Sequence, residues 1–165
     1  MTRAEERLME WLRDAHAMEE QAEQMLSSTT HRLKDYPELR LKLVKHLEET
    51  RRQAITVRGC IERRGGTISI VKDLVARTTA VAQGLGGLLV SDEVVKAMLA
   101  IYTFEQMEIA SYRILIAAAA SVGDSETRQA CESILAEEEA MAEWASQQLA
   151  PTAQEYLARE RAKAA

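Results

Sequence analysis

Apolar residues recur along this chain at steps of three and four, the period that keeps one side of an α-helix dry. Leu8, Leu12, Ala15, Ala22 and Leu26 form one such side and predict a helix from about Thr2 to about His31. Asp35-Tyr36-Pro37 should break it, because the residue before a proline avoids the α region. Pro37 can then open a second helix, where its missing N–H would be unpaired anyway. That helix carries Leu39, Leu43, Leu47, Ala54, Val57 and Ile61 on its apolar side and should stop at Gly65-Gly66. A third long stripe runs from Val94 to Ala119, with Ser91-Asp92 before it as a cap and Gly123 after it as a stop. A fourth begins at Asp124 or Ser125 and lasts to about Leu149. Pro151 is expected to end it, and Thr152 with Glu155 has the spacing of a capping box for a short C-terminal helix.

Residues 67–91 read differently: a shorter helix over Ile68–Ala82, then Gly84-Leu85-Gly86-Gly87 as a loop. Tight turns within each helix pair make neighbours antiparallel, and this middle stretch is long enough to cross a bundle roughly 40 Å long. The expected fold is therefore all-α: a ferritin-like antiparallel four-helix bundle over residues 1–150 with one long crossover, and a short extra helix as the tail over 151–165. Met18-Glu19 through Met25-Leu26 can also be laid over Met107-Glu108 through Ile114-Leu115, as two related hairpins would allow.

Composition agrees with this reading. Only 2 prolines, 7 glycines and 1 Phe occur in 165 residues, the size of one domain. A net charge of −5 with acid and base interleaved argues against a nucleic-acid groove. No apolar run approaches the roughly 18 residues of a membrane span. Met1 to Glu10 is charged throughout, so no secretory leader is expected. Cys60 and Cys131, far apart and without CxxC spacing, read as small buried hydrophobes in a reducing cytoplasm.

The candidate chemistry lies in the stripes themselves. The third reads Val94, Met98, Ile101, Glu105, Glu108, Tyr112, Leu115, Ala119, so two carboxylates sit in the middle of a buried face. Burying an unpaired carboxylate is costly enough that it takes up a proton or finds a cation. Glu19 lies on the stripe of the first helix and Glu138 on that of the fourth. Glu49 stands at the stripe edge of the second, with His46 one turn before it and Gln53 one turn after. In an antiparallel bundle these mid-helix positions meet at one level. Hard oxygen donors clustered there suit iron or manganese, and also magnesium or calcium. The plainer reading gives each glutamate a packed stem and a head in water, or an arginine partner such as Arg51, Arg52 or Arg113.

Over roughly Ala4 to Leu149 the chain resembles the YciE/YciF-like family of bacterial ferritin-like proteins. The residues carrying the likeness are Leu12-Arg13-Asp14 with Glu19 and Gln21, and His46-Leu47-Glu48-Glu49-Thr50 with Gln53. They continue with Glu105, Glu108-Ile109-Ala110, Tyr112 and Glu137-Glu138-Glu139. The resemblance implies a two-metal centre, an antiparallel homodimer and stress-associated expression. On it, Glu19, Glu49, Glu105, Glu108 and Glu138 are the expected ligands of two iron or manganese ions. The wider ferritin-like pattern places Glu-x-x-His on two helices. Here Arg52 follows Glu49 and Met141 follows Glu138 at that spacing, so both histidines are absent and Gln53 or Glu105 would have to substitute. His16 can reach the face of Glu19, His46 is expected to orient Glu49, and His31 should lie at a helix end in solvent. The alternative that the missing histidines favour is a metal-free, dimeric helical scaffold.

Overall fold

A computed structural model of the protein describes residues 1–68 and 93–164. The expected middle helix, its glycine loop and the Ser91-Asp92 cap lie outside the described residues, apart from Ile68 at the start of that stretch. Four helices are described: α1 Arg3–Arg32, α2 Pro37–Arg63, α3 Glu93–Ser121 and α4 Ser125–Ala164. No strand occurs among the described residues.

Local chemistry sets the boundaries. Thr2 caps α1: its hydroxyl accepts from the Glu5 N–H, and the Glu5 carboxylate accepts from the Thr2 N–H, a reciprocal capping box. Pro37 occupies the first turn of α2, as its lost donor requires. Gly65 and Gly123 hold φ of 74° and 73°, the left-handed conformation that favours glycine; Gly65 follows the end of α2, and Gly123 lies in the turn between α3 and α4. Asp124 opens α4, its carboxylate accepting from the Thr127 N–H at 3.0 Å.

Cross-helix contacts fix the topology. Arg51 on α2 meets Glu23 on α1, and Arg113 on α3 meets Glu139 on α4, each within an antiparallel hairpin. The C-terminal end of α1 meets the start of α3 through Arg32 and Glu93, and the end of α2 meets the turn before α4 through Arg63 and Asp124. Arg63 and Glu93 therefore stand at opposite ends of the bundle. The order of these ends makes α2 and α3 parallel, the expected ferritin-like arrangement.

One boundary differs from expectation. α4 continues through Pro151 to Ala164, so the short tail helix is the last stretch of α4 and not a separate element. Proline here removes the N–H that would bond the Gln147 carbonyl, a loss that costs about 3 kcal/mol in a helix interior. Both Gln147 and Pro151 are exposed, so water can serve that carbonyl. Beyond the proline, packing rewards continuation: Thr152 is buried, and Arg159 lies 4.3 Å over the Tyr36 ring while donating to the Asp35 carbonyl at 2.9 Å.

The core is divided. One apolar cluster gathers Leu8, Leu12, Ala15, Val57, Ile61, Tyr112, Leu115 and Ile134. The other gathers Leu26, Leu39, Leu43, Val94, Met98, Ile101, Met141 and Ala145. Buried polar residues interrupt this core near the middle of each helix: Glu19 on α1, His46, Thr50 and Gln53 on α2, Glu105 and Glu108 on α3, and Glu138 on α4.

Candidate metal centre

The layer between the two apolar clusters is built from the stripes. Glu19, Glu105, Glu108 and Glu138 are each at most 1% exposed, and with them His46 at 1% and Gln53 at 2%. Four helices thus deliver four carboxylates, an imidazole and an amide to one dry region. Glu49 is less enclosed, with 16% of its side chain exposed, and lies at the rim beside Lys45 Nζ at 3.6 Å.

His46 is the hub on one side. Its Nδ1 lies 3.1 Å from Glu49 Oε2, the orienting contact expected from sequence. Its Nε2 points the other way and lies 3.3 Å from Glu105 Oε1 and 3.6 Å from Glu138 Oε2. His46, Glu105 and Glu138 each offer one ligand atom, and these atoms lie within 4.8 Å of one another, close enough to share one ion. The sequence reading gave His46 only the role of positioning Glu49. Its location one turn before the glutamate, where the ferritin-like pattern has its histidine one turn after, hid the larger role. The signal that could have found it was the stripe itself: Leu39, Leu43, His46 and Gln53 share one buried face.

On the other side, Tyr112, fully buried, donates its hydroxyl proton to Glu19 Oε1. Gln53 Nε2 donates to Glu137 Oε2 at 2.8 Å, leaving Gln53 Oε1 facing the interior without a donor. His16 is buried but turns toward Glu20, 3.8 Å away on the surface side, and so stands apart from the carboxylates.

Apart from His46, the four buried carboxylates have no cationic partner among the described residues. Glu19 Oε2, Glu105 Oε2, Glu108 Oε1 and both oxygens of Glu138 are buried without a hydrogen-bond partner among the described residues. The arginines that could have neutralised them are engaged at the surface. Arg51 binds Glu23 and Glu48, Arg52 donates to the Glu48 carbonyl, and Arg113 binds Glu139. Without a cation the carboxyls hold protons instead. Burial pushes Glu138 up to about 11, with the nearby Glu105 adding to the effect. Burial raises Glu19 to about 8 against the opposing Tyr112 hydrogen bond. Glu108 is raised well above the carboxylate range by burial and then by Glu19, Glu138 and Glu105. For His46, burial favours the neutral ring, yet the acceptors Glu105 and Glu49 outweigh it and raise its pKa. Buried acceptor-only oxygens with one imidazole are a donor set that fits a divalent transition-metal ion.

Comparison with known proteins agrees with the fold and the resemblance. The profile of the family described as "Domain of unknown function (DUF892)" matches residues 3–158. A crystal structure of a protein from Xanthomonas campestris pv. campestris is 38% identical, with a TM-score of 0.83 over 96% of this chain and 99% of that one. The crystal structure of the E. coli stress protein YciF superposes with a TM-score of 0.81 at 21% identity, over 93% of this chain and 99% of that one. A Rhodopseudomonas palustris protein, YcfI, follows at 22% identity and 0.73, over 88% and 94%. Among the described residues no helix is long and apolar enough to cross a membrane.

Proposed function

Starting from the premise that the chain belongs to the DUF892 family of YciF-like bundles, we propose that it binds two iron or manganese ions in the polar layer between its apolar clusters. The observation that carries this reading is the set of carboxylate oxygens on Glu19, Glu105, Glu108 and Glu138, buried and without donors among the described residues, while Arg51, Arg52 and Arg113 are engaged elsewhere. A protein that needed only a stable bundle would gain by filling these positions with leucine. Glu19, Glu105, Glu108, Glu138 and His46 would hold the ions, with Glu49 at the rim oriented by His46.

Ions of this kind, when bound, supply one-electron redox chemistry with oxygen or peroxide. The chain's own residues exclude water with the apolar clusters on both sides, and Tyr112 and His46 orient the carboxylates. The setting we infer is a cytoplasmic stress response, in keeping with the description of the E. coli relative as a stress protein. A homodimer is supported by the apolar residues that the outer face of α2 leaves in solvent, Leu41 and Ile55 at 73% and 69% exposure.

Elemental analysis of protein purified without chelator tests the proposal. Up to two equivalents of iron or manganese are expected, and the double variant Glu105→Gln, Glu138→Gln should retain at most one. Protein that arrives without metal, and does not take up added ferrous or manganous ion, would be the metal-free helical scaffold instead.

A further inference from the structure

The layer does not treat its two halves alike. The same offset of 89 residues relates Glu19 to Glu108 and Glu49 to Glu138, and it also carries Met18-Glu19 onto Met107-Glu108. These four glutamates are the part that the two hairpins share. Carried by that offset, the remaining polar groups do not match: His46 corresponds to Leu135, and Glu105 to His16, which turns away toward Glu20. Both unmatched donors fall on one side, with His46 Nε2 3.3 Å from Glu105 Oε1 and 3.6 Å from Glu138 Oε2. Glu108 stands one turn beyond Glu105 on α3, about 4.5 Å farther along the axis. Tyr112, a further turn along the same face of α3, donates to one oxygen of Glu19 and so holds that carboxylate toward the Glu108 end of the layer.

From this asymmetry we propose that the two metal positions are inequivalent: a nitrogen-containing position of His46, Glu105 and Glu138 that fills first and holds transition metal tightly, and an all-oxygen position of Glu108 and Glu19 that fills second and exchanges readily. The inference rests on the reading of the layer as a metal centre. Its chemical basis is donor type. An imidazole favours later first-row ions over magnesium and manganese, whereas carboxylate oxygens alone discriminate little among hard cations. Arg52, which takes the place of the other expected histidine on α2, is exposed and donates to the Glu48 carbonyl, so it offers the oxygen side no nitrogen. The second position should therefore accept manganese or magnesium when the first already holds a later ion.

Cobalt(II) is a suitable probe, because its visible absorption reports nitrogen ligation and its binding heat reports stoichiometry. Titration of the full chain should show two steps separated by at least ten-fold in affinity, with most of the visible change in the first. His46→Gln should weaken the first step by ten-fold or more, merging it with the second. Glu108→Gln should remove the second step and leave the first with its spectrum intact, which also guards against a His46 variant that fails to fold. Two equivalents that bind in one step, with the same spectrum in His46→Gln as in the parent, would overturn the inequivalence while leaving the metal centre standing. No cobalt binding at all in the parent chain would overturn the metal centre itself.

Discussion

At the residue scale the informative contact is Tyr112 to Glu19. The phenol commits one carboxylate oxygen and leaves Glu19 Oε2 buried and free, so it decides which atom faces the layer. Tyr112→Phe should lower metal affinity about ten-fold, the size of effect seen when a group that orients a ligand is lost. Competition with a chromophoric chelator would measure it, and an unchanged affinity would deny Tyr112 that role. Because the phenol opposes the burial effect, the same variant should keep Glu19 protonated to higher pH in the metal-free protein, readable by carbon NMR of a labelled glutamate. Glu138 makes the complementary case. Neither of its oxygens has a hydrogen-bond partner among the described residues, so Glu138→Leu should stabilise the metal-free bundle by about 1–3 kcal/mol while abolishing metal uptake. Denaturant unfolding with and without metal would show the opposed effects. Much of this was legible in advance: Glu105 and Glu108 on an apolar stripe announce a buried carboxylate pair. The reach of His46 was not, because spacing gives a residue's face but not how far its ring extends across the bundle.

Among the elements, period and punctuation located α1, α2 and the end of α3 to within a residue or two, since their caps are local chemistry: Thr2 with Glu5, Pro37, and the glycines at 65 and 123. The end of α4 was not legible, because a proline's local cost was outweighed by contacts distant in sequence. Arg159 reaches Tyr36 and Asp35, residues of the α1–α2 turn more than a hundred positions earlier. If those contacts carry the helix past Pro151, Arg159→Ala should speed amide hydrogen exchange over residues 153–164 and leave residues 125–146 unaffected. Equal exchange in the two proteins would mean that intrinsic helix propensity alone sustains the last turns.

For the whole molecule, the buried layer makes stability depend on pH in an uncommon direction. Glu19 and Glu138 titrate near 8 and 11 when folded, against a reference of 4.5, so above pH 4.5 the folded chain binds more protons than the unfolded chain. Stability must then fall as pH rises, through about 8 for Glu19 and on toward 11 for Glu138. His46, also raised, acts in the same sense: its contribution is complete below its ordinary value of 6.5 and is lost as pH climbs through the folded one. Asp124 and Glu49 run the other way. Both are lowered by their partners against the effect of burial, so they lose their contributions only as the solution becomes strongly acidic. Metal-free protein should therefore melt at a higher temperature at pH 5 than at pH 8. A bound divalent ion replaces those protons as the counter-charge, so the metal-loaded protein should show the reverse order, its advantage over the metal-free form widening with pH. Melting curves at the two pH values, in chelator and in manganous ion, test both halves. A metal-free protein that grows more stable from pH 5 to 8 would mean that the four carboxylates are not confined together in the dry layer.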